Sequence, residues 1–307
     1  MKITVLGAGA MGSLYGGLLA EAGNEVWLLD IWKEHVDAIQ ERGLSIEGIS
    51  GNRSIKNIHA TVTPSDIGPS EIMVVFVKST LTDRAVRESQ ELMGTDTTIL
   101  TLQNGLGNIE KIASVVAQDR IIAGTTAHGA TILGAGSIRH AGRGPTIIGE
   151  IDGRSTARLA ALVNLLNDAN IETTVSDNVV GLIWDKLLVN VGINALTAIT
   201  RLKNGQLIEF KETEEILELA VTEALTVAQA KGITLSHADP VAHTKEVCKL
   251  TAENTASMLQ DVLRKRTTEI GMINGAIVRE GKHLGIRTPV NTVLSNLVSV
   301  IQRYSGI

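Results

Sequence analysis

The stretch Lys2-Ile-Thr-Val-Leu-Gly-Ala-Gly-Ala-Met-Gly-Ser13 predicts the fold of the first half of the chain. It begins with an apolar run of the length of a buried parallel strand. Gly7, Gly9 and Gly12 then follow in the spacing G-x-G-x-x-G, and a helix is predicted directly after them. This order of strand, glycine loop and helix is typical of a turn that binds the phosphates of a dinucleotide.

Each glycine of this loop has its own physical role. Gly7 allows the tight turn, Gly9 lets the backbone approach a pyrophosphate, and Gly12 lets the helix pack closely on the strand. The helix N-terminus offers unpaired N–H groups and the positive end of its dipole. We therefore predict a cofactor-binding loop formed by Gly7, Ala8, Gly9, Ala10, Met11 and Gly12.

A second strand, predicted over Glu25-Val-Trp-Leu-Leu, ends at Asp30. This position lies about 20 residues beyond the glycines, where a carboxylate is expected to bind a ribose hydroxyl. The alternative is a doubly wound domain whose glycines serve only the turn. Because strand, loop, helix, strand and acid occur in this order, we favour dinucleotide binding.

Strands predicted over 71–78, 98–102 and 120–124 alternate with helices over 32–42, 80–93 and 106–117. This alternation predicts a parallel sheet with helices on both faces, closed by antiparallel strands within 125–150. Lys78 ends one of these strands and Asn104 follows another, at the sheet edge where such folds bind ligands. The alternatives are a lysine that meets solvent and an Asn-Gly turn.

Composition narrows the class of protein. The chain has 307 residues, of which 44% are apolar and 20% charged, with a formal net charge of −5. This balance argues against nucleic acid as a partner. Cys248 is the only cysteine, so an intramolecular disulfide is excluded, as suits a reducing cytoplasm. We expect neither a signal peptide nor an apolar run long enough to span a membrane.

From Asp177 onward the pattern predicts helix after helix, including a last helix over 290–304 after a loop over 281–289. We place a domain boundary near residue 175. The predicted architecture is an α/β Rossmann-type, doubly wound parallel sheet over 1–175 and an all-α domain over 176–307. Two histidines in this half, His237 and His243, lack partners at metal-ligand spacing, so no metal site is expected.

The longest predicted helix carries Lys186, Asn190 and Asn194 at intervals of four residues, which places them on one face. Its other sides are apolar, so the helix is predicted to be buried. Polar groups in such a place need partners, and burial lowers the pKa of a lysine toward neutrality. The alternative is a solvated stripe on an otherwise buried helix.

Two polar groups follow later in the helical half. Asn254, Ser257 and Asp261 are predicted to share one helical face. Glu269 precedes an apolar run, where a carboxylate often stabilises a helix N-terminus. On the residues alone, that capping role and a role in a site stay equally open for Glu269.

Taken in order, these motifs resemble those of the ketopantoate reductase family over essentially the whole chain. The resemblance rests on the glycine loop, Lys78, Leu102-Gln-Asn-Gly105, Trp184-Asp-Lys-Leu with Asn190 and Asn194, Asn204, Asn254 with Ser257-Met-Leu-Gln-Asp, Thr268-Glu-Ile and Ile273-Asn-Gly. It implies hydride transfer from a nicotinamide cofactor on the first domain to C2 of a 2-oxo acid held between the domains. With ketopantoate as substrate the product is (R)-pantoate, a precursor of pantothenate and coenzyme A.

The resemblance also implies a role for each matched residue. Lys186 matches the catalytic lysine that protonates the developing alkoxide, and Glu269 matches the acidic residue that supports it. Lys78 and Asn104 match positions near the nicotinamide. The matched substrate-binding positions are Asn104, Asn190, Asn194, Asn204, Asn254 and Ser257.

Two positions depart from the family pattern. Many members prefer NADPH and carry a basic residue where this chain has Asp30. A carboxylate binds a ribose 2′-OH and repels a 2′-phosphate, so we predict a preference for NAD(H), with NADP(H) as the alternative. Gly271 stands where the family often has an acidic residue, and we expect a modest effect on helix packing there.

Asp30 leaves the substrate open. Some relatives are NAD-dependent D-2-hydroxy acid dehydrogenases of the D-mandelate type, and Leu29-Asp-Ile-Trp-Lys33 resembles their sequence. A non-catalytic nucleotide sensor is the third alternative, favoured only if Lys186 or Glu269 were missing. The expected partners are a small 2-oxo acid and a nicotinamide dinucleotide, without nucleic acid or membrane, and the helical half could form a homodimer.

Overall fold

The computed structural model describes residues 1–304 and 306, and it divides them into two units. The first comprises Met1–Gln103 and Asn108–Val179, and the second comprises Asn104–Gly107 and Val180–Ile307. The predicted boundary near residue 175 lies close to the division at Val179. The sequence did not predict that the short loop Asn104–Gly107 belongs to the second unit.

The first unit is built on an eight-stranded sheet with the order β12-β11-β8-β7-β6-β1-β2-β5. These strands are β1 (Lys2–Leu6), β2 (Glu25–Leu29), β5 (His59–Thr61), β6 (Ser70–Val75), β7 (Met93–Thr101), β8 (Ile121–Thr126), β11 (Thr146–Glu150) and β12 (Thr173–Val175). All neighbours run parallel except β8 and β11. The strand order reverses between β1 and β6, and such a switch point is where doubly wound sheets bind ligands. The predicted Rossmann-type fold is confirmed.

The helices of this unit are α1 (Ala10–Glu21), α2 (Lys33–Arg42), α3 (Thr82–Glu88), α4 (Asn108–Ala113) and α5 (Ala157–Asp168). They cover a sheet whose central strand β1 is buried: Ile3 and Val5 are entirely buried, and Leu14 and Leu18 of α1 belong to the same core. Two-sided burial explains why these strands are continuous apolar runs in the sequence.

A second sheet of the same unit was only partly predicted. It has the order β4-β3-β10-β9, formed by β3 (Leu44–Gly48), β4 (Arg53–Ile55), β9 (Gly129–Gly134) and β10 (Ser137–Gly142). The antiparallel strands expected within 125–150 are divided between the two sheets, because Thr125 and Thr126 complete β8 opposite β11. The chain then turns at Ala127, whose N–H donates to Pro145 O, and β9 starts at Gly129.

The second unit is helical, with α6 (Val179–Thr200), α7 (Lys211–Ala230), α8 (Pro240–Leu250), α9 (Ser257–Leu263), α10 (Asn274–Leu284) and α11 (Pro289–Tyr304). By length and composition alone, α6 meets the criterion for a helix that could cross a membrane. However, 67% of its most apolar window is buried, so α6 is the core helix of this unit.

The loop predicted over 281–289 was wrong. Gly281 lies inside α10, where a Cβ would come within 2.9 Å of Ile286 O, so a small residue is needed for packing. The helix ends at Gly285, whose φ of +71° places it in the left-handed region that favours glycine. The later glycine therefore provides the helix stop, and the earlier one provides space.

Candidate active site

Gly7 and Gly12 hold the loop after β1 in place through close packing. Gly7 has a φ of +97°, and a Cβ there would lie 2.6 Å from Val77 N. A Cβ on Gly12 would lie 1.9 Å from Gly7 O, where no side chain fits. These two glycines are therefore required by the protein itself, as the spacing predicted.

Gly9 differs from its two neighbours because its surroundings are open. A Cβ at Gly9 would meet no atom within 4 Å, and its φ of −61° suits any residue. Gly9 precedes α1 directly, and no side chain caps the N-terminus of this helix. The loop therefore presents uncapped N–H groups beside an open surface at the switch point of the sheet, which fits the pyrophosphate of a dinucleotide.

Asp30 stands at the end of β2 and bonds to the glycine loop. Its Oδ2 accepts a hydrogen bond of 2.6 Å from Ala8 N, and its Oδ1 accepts one of 2.9 Å from Trp32 N. The carboxylate is partly exposed. It is therefore held at the predicted ribose position by two backbone amides.

Lys78 follows the end of β6, at the other side of the switch point. The preceding residue, Val77, contacts the position of Gly7, so the chain around Lys78 packs on the glycine loop. Gln103 holds this segment from the end of β7: its Nε2 donates to Val77 O (2.5 Å) and to Thr82 Oγ1 (2.9 Å). Gln103 was not selected from the sequence, since its pattern gives no sign of this bridge.

Lys186 lies on α6 in the second unit, among buried apolar neighbours such as Leu187 and Leu188. Burial lowers the pKa of Lys186 to about 8, and the negative charge of Glu269 acts in the opposite direction. The direction of this shift is the one that burial of the helix predicts. An ammonium group with such a pKa is a competent proton donor near neutral pH.

Glu269 and Lys186 are distant in sequence but interact electrostatically in the second unit. Glu269 directly precedes a short 3-10 turn, Ile270–Met272, yet its side chain makes no capping hydrogen bond to that turn. The simple capping role therefore does not account for Glu269. Its carboxylate instead opposes the effect of burial on Lys186.

Asn190 and Asn194 continue the Lys186 face along α6, as the four-residue spacing predicted. Asn194 is buried and Asn190 is half-buried. Their amides are both donors and acceptors, which suits carboxylate and hydroxyl groups of a small polar ligand. This face therefore combines one cation with two amides on a rigid helix.

Asn204 and Asn254 are brought together by backbone pairing. Asn204 N donates to Asn254 O (3.1 Å), and Asn204 Nδ2 donates to Thr251 Oγ1 (2.9 Å). The predicted helical face of Asn254, Ser257 and Asp261 was wrong for Asn254, because α9 begins only at Ser257. The carbonyl of Asn254 accepts a hydrogen bond from Asn204 N, and not the bond that a continuing helix would supply.

Asn104 begins the loop that belongs to the second unit. Leu106 N donates to Met272 O (3.0 Å), and a Cβ on Gly105 would lie 2.5 Å from the same oxygen. Asn104 is thus fixed beside the segment that follows Glu269. Its position at the sheet edge suggested cofactor binding, and the resemblance to the family implied a place near the nicotinamide; the structure assigns its loop to the unit that carries Lys186 and Glu269.

Across residues 1–304 and 306, no three His, Cys, Asp or Glu side chains are arranged to hold a metal ion. His237 and His243 stack with ring centroids 3.6 Å apart, and His237 Nδ1 lies 3.6 Å from Asp185 Oδ1. These groups pack the loop before α8 against α6.

Comparison with known families gives two matches. Residues 3–153 match the family model described as ketopantoate reductase PanE/ApbA. Residues 178–302 match the model of its C-terminal domain. Together the matches cover both units.

Curated relatives named 2-dehydropantoate 2-reductase match over their full lengths. One from Halobacterium salinarum is 38% identical, over 99% of this chain and 99% of its own. One from Pyrococcus horikoshii is 37% identical, over 100% and 99%.

Solved structures give a similar result. A PanE/ApbA family ketopantoate reductase from Ralstonia eutropha has a TM-score of 0.92 and 34% identity, over 100% of both chains. A D-mandelate dehydrogenase in a ternary complex with NADH and anilino(oxo)acetate has a TM-score of 0.93 and 30% identity, again over 100% of both chains.

Proposed function

Because the chain belongs to the ketopantoate reductase family, we propose that it reduces 2-dehydropantoate to (R)-pantoate with a nicotinamide dinucleotide. The observation that carries this proposal is the Lys186–Glu269 pair. Burial lowers the pKa of Lys186 to about 8, and the negative charge of Glu269 offsets part of this decrease. This arrangement provides a proton donor where an alkoxide would form.

The residues of the first unit fit the cofactor. The open surface at Gly9 and the uncapped N-terminus of α1 would hold the pyrophosphate, and Asp30 would bind the adenine ribose. Lys78 would lie toward the nicotinamide end. The bound dinucleotide would supply the hydride.

Lys186 would act at the oxygen of the 2-oxo group. Its ammonium charge would stabilise the developing negative charge, and its Nζ would then give up a proton to form the hydroxyl. Glu269 supports the charged form of Lys186, because a nearby negative charge raises the pKa of an ammonium group. The pair therefore keeps the lysine protonated before transfer.

Amide groups would orient the substrate. Asn190 and Asn194 lie on the same helix as Lys186, so helical geometry places the three side chains on one face. Asn204, Asn254 and Ser257 are proposed to bind the carboxylate and hydroxyl groups. Asn104 is proposed as a further donor, since its loop is fixed beside the Glu269 segment.

We further propose NAD(H) as the preferred cofactor. The carboxylate of Asp30 is held in place by Ala8 N and Trp32 N, so it cannot readily turn away from a 2′-phosphate. Repulsion would then disfavour NADPH. NADP(H) remains the alternative.

Reduction of aromatic or branched 2-oxo acids is a second candidate. It is favoured by Asp30 and by the likeness to a D-mandelate dehydrogenase solved with NADH and anilino(oxo)acetate. The catalytic roles of Lys186 and Glu269 would be unchanged, and only the substrate would differ.

Initial rates with ketopantoate and phenylglyoxylate, each with NADH and NADPH, test these proposals. We expect ketopantoate with NADH to give the highest kcat/KM. Fast reduction of phenylglyoxylate with little activity on ketopantoate would replace the first candidate by the second. A strong preference for NADPH would contradict the role of Asp30, and an Asp30→Asn variant with an unchanged NADH-to-NADPH ratio would contradict it as well.

Two further expectations stay predictions. Association into a homodimer is tested by sedimentation velocity of the purified protein. A cytoplasmic location is tested by fractionation of the source cells.

A further inference from the structure

Asn274, the first residue of α10, is completely buried and has no role in the proposed reaction so far. Its Nδ2 donates to Val191 O (3.1 Å) and to Asn291 Oδ1 (3.0 Å). Its Oδ1 is buried and has no hydrogen-bond partner in the described part of the chain. A buried acceptor without a partner destabilises the folded state. The two hydrogen bonds donated by Asn274 Nδ2 therefore have to offset the unfavourable burial of Oδ1.

The direction of these hydrogen bonds is fixed from the far end. Asn291 Nδ2 donates to Ala220 O (3.0 Å) and to Glu223 Oε2 (2.8 Å), both of which only accept. Asn291 Oδ1 must then accept, and Asn274 must donate. Glu223 is itself anchored, because it accepts from Val290 N and Asn291 N at the start of α11.

The chain of bonds ends at the two segments that carry the proposed catalytic pair. Glu269 O accepts from Met272 N (2.8 Å) and Ile273 N (3.2 Å), so the backbone of Glu269 is joined by one turn to Asn274. Val191 lies on α6, on the stretch that carries Lys186. The bond from Asn274 to Val191 O therefore links the Glu269 turn to the Lys186 helix.

We propose that Asn274 is a positioning residue, oriented by Asn291 and Glu223, that sets the separation of Glu269 from Lys186. This inference rests on the proposed function only for its effect on turnover. Without the Asn274 amide, the Glu269 turn loses the hydrogen bond from Asn274 Nδ2 to Val191 O of α6. A shift of about 1 Å in a catalytic group can cost up to about 100-fold in rate.

The direct test is the pKa of Lys186 in Asn274→Ala, measured without substrate. Protein carrying [ε-13C]lysine is titrated by NMR, and the Lys186 signal is assigned with Lys186→Arg. Because the charge of Glu269 supports the ammonium form, its withdrawal lowers the pKa of Lys186. We expect a decrease of about half a pH unit. We also expect kcat for ketopantoate to fall about tenfold with little change in KM.

Thr213→Val is the matched control. It removes another buried hydrogen bond of the second unit, from Thr213 Oγ1 to Leu207 O (2.6 Å), which lies outside the Asn274 chain. It is expected to lower Tm without moving the Lys186 signal. Glu223→Gln serves if Asn274→Ala does not fold, and it should shift the pKa in the same direction by less.

A double variant completes the test. If Asn274 acts through Glu269, Asn274→Ala should shift the pKa of Lys186 no further in a Glu269→Gln background. An unchanged pKa in both Asn274→Ala and Glu223→Gln, or additive shifts in the double variant, would overturn the proposal. Failure of the wild-type protein to reduce ketopantoate would overturn the proposed function and leave this titration intact.

Discussion

The glycine loop and the Lys186 face are built in opposite ways. The loop is a contiguous segment whose chemistry comes from backbone N–H groups, and Gly7 and Gly12 are fixed by clashes with the loop itself and with Val77. The Lys186 face consists of side chains on α6, and Lys186 depends on the charge of Glu269, which comes from a distant segment of the chain. The glycine loop can therefore be predicted from a contiguous stretch of sequence, whereas the interaction of Lys186 with Glu269 depends on packing between distant segments.

The largest effect is expected at the side-chain site. Lys186→Ala removes the proton donor and the cation together, so kcat should fall about 1,000-fold. Binding of the dinucleotide, measured by fluorescence titration, should stay unchanged. Lys211→Ala, at an exposed lysine paired with Glu215, is the control. Retention of a tenth of the turnover in Lys186→Ala would remove the lysine from the mechanism.

The backbone site should respond differently at two of its glycines. Gly12→Ala places a methyl group on Gly7 O and should destabilise the protein by about 1–3 kcal/mol, with loss of cofactor binding. Gly9→Ala meets no atom and should change stability by less than about 0.5 kcal/mol. It should still weaken dinucleotide binding by about 1.4 kcal/mol, or tenfold. Denaturant unfolding and titration of each variant measure the two effects, and equal destabilisation would contradict the distinction.

The pH dependence of kcat/KM should show which protonation state of Lys186 is active. The protonated form of Lys186 is the acid, so kcat/KM should decline as the pH rises through about 8. Glu269 raises the pKa of Lys186, and Glu269→Gln should therefore move this decline to lower pH. Rates from pH 6 to pH 10 measure the shift. A decline that stays in place in Glu269→Gln would show that the carboxylate does not act on the lysine.

The smallest effect concerns a side-chain network in the first unit. His128 Nδ1 and His140 Nε2 lie 3.1 Å apart, and burial, followed by the charges of His140 and Arg143, lowers the pKa of His128 from 6.5 to about 4. The neutral ring is therefore favoured by folding. This contribution is complete above pH 6.5 and is lost as the pH falls toward 4.

Between pH 7 and pH 5.5 this loss should be about 1 kcal/mol in the free energy of unfolding. Urea unfolding in a Trp184→Phe background measures it, because Trp27 and Trp32 then report on the first unit. His128→Asn should show a smaller pH dependence. If the free energy of unfolding depends equally on pH with and without His128→Asn, the dependence does not come from His128.

The centre of the main sheet was predictable because β1, β2 and β6 contain local apolar runs. The second sheet was not, since β10 pairs in parallel with β3 across a long stretch of sequence, and β4 is only three residues long. The same holds for Asn254, whose exclusion from α9 depends on a bond to Asn204 that no local pattern reveals.

The candidate site divides along the same line. Lys186, Asn190 and Asn194 were predicted from helical spacing alone, because they share one element. Glu269 and Asn204 were assigned through the resemblance to the family. Asn274 was quoted within the motif Ile273-Asn-Gly, yet its bonds to Val191 and Asn291 appear only in the folded chain.

The bond from Leu106 N to Met272 O has a consequence for how the gene can be divided. A fragment encoding only residues 180–307 would leave the Met272 carbonyl without this donor and would leave empty the space that Gly105 fills. Chimeras made by exchanging halves between relatives would take the two sides of this contact from different parents. A workable recombination block is therefore discontinuous: it pairs the helical half with residues 104–107 from the same parent.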